Sequence, residues 1–211
     1  MAYLRTNYAL GNFVETSKEP KEGFTEHDWT FGNKSGTNYR KEYREPITGE
    51  LYEVSIKDVD KMGKIVTLTI KGDTFYNIQL PLLDKNKNID DFVKSLILVL
   101  PNLVKGQQYS VTMYAGFVPE GKDRKLNGLT IKSDGNKVEK AYSFTTKEAA
   151  GDIPAVNWTK TMGEWVADAR AQNEFLYGEL QKQIERLAGD VTESQPQALE
   201  EEEEQDLDLP F

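Results

Sequence analysis

Between Leu51 and Leu80 three short runs alternate apolar and polar residues, and they follow one another too closely to be anything but strands: Leu51–Ile56, Ile65–Ile70 and Phe75–Leu80. A period of two puts every second side chain on one face, the pattern of a sheet packed on one side. The connections, Lys61-Met62-Gly63-Lys64 and Lys71-Gly72-Asp73-Thr74, are made of turn-forming residues. They are too short for a parallel crossover, so the three strands form an antiparallel meander that Pro81 closes.

The chain beyond the meander sets the fold class. Asp90 or Asp91 can cap a short helix whose apolar residues Phe92, Val93, Leu96, Ile97, Val99 and Leu100 end near Pro101. β character returns at Tyr109 to Val118, Leu126 to Lys132 and Val138 to Thr145, with Ser133-Asp134-Gly135-Asn136 as a hairpin turn. Three strands, a helix, then two more is the element order of the OB-fold, a small barrel that binds oligonucleotides on one face. The expected architecture is therefore mainly β. It is an OB-fold-like antiparallel barrel with one short internal helix over residues 1–150, its first 50 residues adding one or two strands and loops.

Beyond this body, Trp158, Met162, Trp165, Val166, Ala169, Leu176, Leu180, Ile184 and Leu187 recur at helical spacing, and Gly189 marks a stop. Residues 151–189 are thus expected to hold one long amphipathic helix, with Thr161 and Glu164 resembling a capping box. At about 30 residues it would span about 45 Å, so its stripe either packs along the barrel or pairs the 158–187 helix with a second copy of the chain. Residues 190–211 lack the apolar residues that would order them and read as a disordered linker and acidic tail.

Several chemistries are excluded by what the chain lacks. It has no cysteine, so disulfides, thiolate zinc sites and thiol nucleophiles are out, and a single histidine, His27, limits imidazole-based metal sites and triads. Neither a phosphate loop nor a dinucleotide fingerprint occurs. The reading is of a protein that is not an enzyme and needs no cofactor or metal. The longest apolar run, Leu96–Leu100, is far shorter than the roughly 20 residues of a membrane span. Because the opening residues also lack the apolar core of a secretory signal, a cytoplasmic protein without membrane contact is expected.

The formal net charge of −9 is unevenly spread. Residues 1–150 carry 22 Lys and Arg against 20 Asp and Glu, a net of +2, whereas residues 151–211 carry 4 against 15, a net of −11. The low overall charge therefore comes from the C-terminal third, and the body is nearly neutral and rich in lysine.

Binding single strands requires cations that follow the phosphates and aromatic faces on which bases stack. Both are interleaved in Tyr39, Arg40, Lys41, Tyr43 and Arg44, preceded by Trp29 and Phe31. A second set is Tyr114 and Phe117 with the loop cations Lys122, Arg124 and Lys125, and Lys64, Lys132, Lys140 and Tyr142 extend it. Each of these is also an ordinary core aromatic or solvated lysine in other folds, and it is their clustering that marks them.

The tail runs Glu200, Glu201, Glu202, Glu203, Glu204, Gln205, Asp206, Leu207, Asp208, Leu209, Pro210 and Phe211. Asp206-Leu207-Asp208-Leu209-Pro210-Phe211 resembles the acidic terminal motif of bacterial single-stranded DNA-binding proteins, with Leu209 in place of isoleucine. A decorated OB barrel, a helix and an acidic tail with a terminal Phe together are also similar to the single-stranded DNA-binding proteins of tailed phages. The resemblance implies a protein of replication, recombination and repair that coats single-stranded DNA in the host cytoplasm. It further implies that Leu209, Pro210, Phe211 and the preceding acids recruit replisome proteins such as a polymerase, helicase or primase. Two other classes suit an acidic β-rich chain: a DNA mimic that inhibits a DNA-binding enzyme, and a virion assembly protein. The positive net charge of residues 1–150 runs against a mimic, which would spread carboxylates over its folded surface.

Overall fold

The computed structural model describes residues 1–31, 33–60, 63–118, 125–142, 153–161 and 164–189. The expected meander is present as β5 (Ile47–Val59), β6 (Gly63–Lys71) and β7 (Phe75–Pro81), antiparallel and in continuous register apart from a bulge between Leu51 and Glu53. Asp90 then caps helix α1 (Asp91–Val99), its carboxylate accepting from the Phe92 N–H at 2.9 Å, and a single 3-10 turn, Leu100–Asn102, ends at Pro101 and Asn102. The hairpin β8 (Gln108–Phe117) and β9 (Leu126–Ser133) comes next, with β8 pairing antiparallel to β5. Asp134 (φ 51°) and Gly135 (φ 79°) both take the left-handed conformation that a two-residue hairpin turn requires.

The first 46 residues contribute four strands rather than one or two: β1 (Ala2–Asn7), β2 (Asn12–Ser17), β3 (Thr25–Phe31) and β4 (Lys34–Tyr43). With β10 (Asn136–Lys137) they complete a ten-stranded mixed sheet of order β10-β9-β8-β5-β6-β7-β1-β2-β4-β3. Closing a barrel from the β9-β8-β5-β6-β7 set would require β9 to pair with β7. That edge of β7 is instead taken by β1 in a parallel pairing, so the sheet is open.

Two further expectations are corrected. β10 is two residues long, and Val138 to Tyr142 form no strand. Their backbone is used differently, Val138 N–H donating to Ile131 O at 2.9 Å and Ala141 N–H to Leu98 O at the end of α1 at 2.7 Å. The remaining residues of that expected strand, 143–145, lie outside the described residues.

The long C-terminal helix is also shorter than its periodicity suggests. β11 (Asn157–Thr161) and β12 (Glu164–Asp168) pair as a separate antiparallel ribbon, and helix α2 begins only at Arg170 and runs to Gly189, while Met162 of the expected stripe lies outside the described residues. Thr161 and Glu164, expected as a capping box, are cross-strand partners. Tryptophan, threonine and valine favour strands, and residues flanking a hairpin turn recur at three- and four-residue spacings just as helix neighbours do.

The core lies between one face of the sheet and the two helices. Leu4, Phe13, Leu51, Leu68, Ile78 and Leu80 meet Phe92, Leu96 and Ile97 of α1 there, and Leu176, Leu180 and Leu187 of α2 join the same cluster. Arg186 of α2 donates to Leu100 O at 3.0 Å and Leu103 O at 2.8 Å, tying α2 to the 3-10 turn that follows α1.

Candidate nucleic-acid interface

Strand alternation sorts the N-terminal wing into two faces. Leu4 is in register with Glu15 and Glu15 with Lys41, while Thr6 pairs with Phe13 and Phe13 with Tyr43. These side chains share the core-side face. Intervening positions fall on the outer face: Tyr3 and Arg5 of β1, Asn12 and Val14 of β2, His27 and Trp29 of β3, and Lys34, Asn38, Arg40 and Glu42 of β4. Tyr3 and Arg5 are in register with Asn77 and Gln79 of β7. Those pair with Thr69 and Thr67 of β6, which in turn pair with Glu53 and Ser55 of β5. One outer face is thus continuous from β3 to β5.

This face has an uneven charge and an unfinished hydrogen-bond inventory. Arg5, Lys34 and Arg40, with Arg44 just beyond β4, outnumber Glu42 on the wing. The Glu42 carboxylate is shared between Arg44 at 2.9 Å and the Asn12 amide at 3.3 Å. Among the described residues, five buried side-chain atoms have no hydrogen-bond partner: Asn12 Oδ1, Asn38 Oδ1, Arg40 Nε, Ser55 Oγ and Asn77 Nδ2. By register all five belong to residues of the outer face. For Asn77 the reason is visible, since its Oδ1 accepts from Thr69 Oγ1 at 2.9 Å and leaves the amide N–H₂ unmatched. An unmatched buried polar group costs about 1–3 kcal/mol, so these five are points of local cost beneath the outer face.

The residues expected from the sequence divide into three groups. Trp29, Arg40 and Arg44 lie on or beside this face. Trp29 is 37% exposed, its indole lying across Gly36 of β4, where an added Cβ would stand 3.0 Å from the ring. Phe31 pairs with Lys34 at the tip of the same hairpin. A second group is exposed elsewhere: Phe117 (58% exposed) at the end of β8, Lys125 before β9, Lys132 on β9, and Lys140. The third group serves packing. Tyr43 donates to Glu15 Oε2 at 3.0 Å and stands edge-on to Tyr76, Lys41 covers the Tyr43 ring at 5.2 Å, and Tyr39 is half-buried opposite Ser17. Lys64 bonds to Tyr177 of α2 at 3.2 Å, Tyr142 donates to Glu179 of α2, and Tyr114 is half-buried across from Gly128. Lys122, Arg124 and the tail from Glu200 to Phe211 lie outside the described residues.

Sequence reasoning passed over Tyr3 (53% exposed), Arg5, Asn12, Lys34, Asn38, Ser55 and Asn77. The signal for the first two was present, because Ala2-Tyr3-Leu4-Arg5 alternates as a half-buried strand does. The amides carry no sequence signal of their own. Only the register brings them together.

Three groups titrate away from their ordinary ranges through burial. Burial raises the Asp90 carboxyl above the ordinary range, with the hydrogen bonds from Phe92 N and Tyr8 opposing it, and burial also raises Tyr8. Tyr76 is pushed up to about 12 by burial and its bond to Asp73. Among the described residues, no three His, Asp or Glu come together as metal ligands, and no helix is long and apolar enough to cross a membrane. Compared with protein-family models, with curated proteins and with solved structures, the chain matches none.

Proposed function

We propose that this chain binds and coats single-stranded DNA across the outer face from β3 to β5. The observation that carries this reading is the coincidence on one sheet face of arginine and lysine side chains with the exposed rings of Trp29 and Tyr3. Arg5, Lys34, Arg40 and Arg44 follow the phosphates, and Trp29 and Tyr3 offer stacking faces that accept any base. On this reading the meander β5–β7, α1 and the hairpin β8–β9 are an OB-like element set, which β1 extends sideways instead of closing.

The acidic run from Glu200 to Asp208 serves the same mechanism. A tethered polyanion competes with phosphates for the cationic face and is released by DNA. Leu209, Pro210 and Phe211 then dock into an apolar pocket with a basic rim on a replication partner.

Anisotropy of a labelled dT oligonucleotide across a salt series tests the reading. Binding is expected to weaken linearly in log salt, and Arg5→Ala and Arg40→Ala are each expected to lower the slope by about 0.7. A chain ending at Gly189 is expected to bind more tightly than the full chain at low salt. No binding to dT at low salt would remove the proposal.

A further inference from the structure

The hairpin β11–β12 stands apart from the main sheet, and all but one of its described side chains are exposed. An isolated two-stranded ribbon gains little from its own pairing, and the large apolar side chains on it stay mostly or half exposed. Yet it carries two of the three tryptophans, Trp158 at 61% and Trp165 at 66% exposure. They share a face: Trp158 is opposite Ala167, and Lys160 is opposite Trp165, so the indoles are diagonal neighbours with Lys160 beside them. The acids take the other face, where Asn157 opposes Asp168 and Thr161 opposes Glu164. Asp168 is further neutralised by Arg170, which donates to it at 2.6 Å and holds its carboxyl down at about 2.

We infer that the Trp158-Lys160-Trp165 face is a second contact for single-stranded DNA, each indole stacking one base and the ammonium meeting the phosphate between them. This rests on the function proposed above. Charge decides the occupant: a cation between two bare aromatic rings, with the carboxylates turned away, complements an unpaired nucleic-acid strand. A purely apolar partner would leave Lys160 buried and unpaired, at a cost in affinity.

Intrinsic fluorescence tests the assignment in the full-length chain carrying Trp29→Phe, where Trp158 and Trp165 are the remaining tryptophans and are excited selectively at the red edge of the absorption band. Titration with a dT oligonucleotide of about 16 nucleotides, the upper site size of such folds, is expected to quench that emission. Trp158→Ala and Trp165→Ala are each expected to weaken binding about tenfold, the equivalent of one stacked base. Lys160→Ala, which leaves both rings in place, is expected to reduce the salt slope by about 0.7. If the full chain binds dT but the emission is unquenched and the double tryptophan variant binds as tightly, the hairpin assignment is wrong while the outer face stands. If the full chain does not bind dT at all, both fall. A double variant that keeps its affinity but loses a dimer in sedimentation would make the patch an interface between copies and overturn the assignment.

Discussion

Asp90 joins the cap of α1 to the N-terminal wing, since one of its carboxylate oxygens accepts from Phe92 N at 2.9 Å and the other from the Tyr8 hydroxyl at 3.0 Å. Asparagine can keep the cap and remove the buried charge, whereas alanine loses the cap. Asp90→Ala is therefore expected to cost about 1–2 kcal/mol and Asp90→Asn less, read from urea unfolding. The pH dependence stems from burial raising the folded pKa above its unfolded value. The native state binds the extra proton, so the contribution of Asp90 is most favourable at acid pH and declines as pH rises from the unfolded pKa through the folded one. Wild type is expected to gain on Asp90→Asn between pH 7 and pH 4. Gly128 is a second sensitive residue, because an added Cβ would stand 2.5 Å from the Tyr114 hydroxyl and 3.1 Å from Ser95 Cβ. Gly128→Ala is expected to destabilise by about 1–3 kcal/mol, with Tyr114→Leu recovering part of it. The Tyr39 to Arg44 cluster illustrates how far residue chemistry is legible in sequence. Alternation divides it into two faces, but only the register with Phe13 and Glu15 says that the Tyr43 face is the inner one.

At the scale of elements, the meander, α1 and the β8–β9 hairpin were readable because each combines its own periodicity with a cap or turn residue in the right place. The four N-terminal strands were harder, since β3 and β4 form an exposed ribbon whose alternation carries few apolar residues. The 157–187 segment misled because Trp158 to Val166 satisfies a helical stripe and a hairpin alike, and the decision rests on β-prone residues flanking the turn. What remains of the expected helix, α2, places Leu176 and Leu180 at 0% exposure in the chain's own core. Leu180→Ala is accordingly expected to lower global stability by about 3 kcal/mol with the oligomeric state unchanged, as seen by calorimetry and sedimentation. A change of oligomeric state at unchanged stability would show that the helix serves a second subunit instead.

Across the whole molecule, an open sheet has two edges to protect. β10 is only two residues long, and β3 exposes Glu26, His27 and Asp28, features that discourage further strand addition. The opening itself comes from β1, which occupies the side of β7 where closure would have occurred and in doing so aligns Tyr3 and Arg5 with Asn77 and Gln79. That lateral extension, invisible to any local reading of the sequence because it joins residues more than 70 positions apart, creates the surface to which we assign the DNA. Photo-crosslinking of the full chain to a bromodeoxyuridine-substituted single strand, with peptide mapping of the products, addresses the assignment directly. Crosslinks at Tyr3 or Trp29 that single-stranded competitor removes and duplex does not are the expected result; crosslinks confined to residues away from the β3 to β5 face, or none, would contradict it.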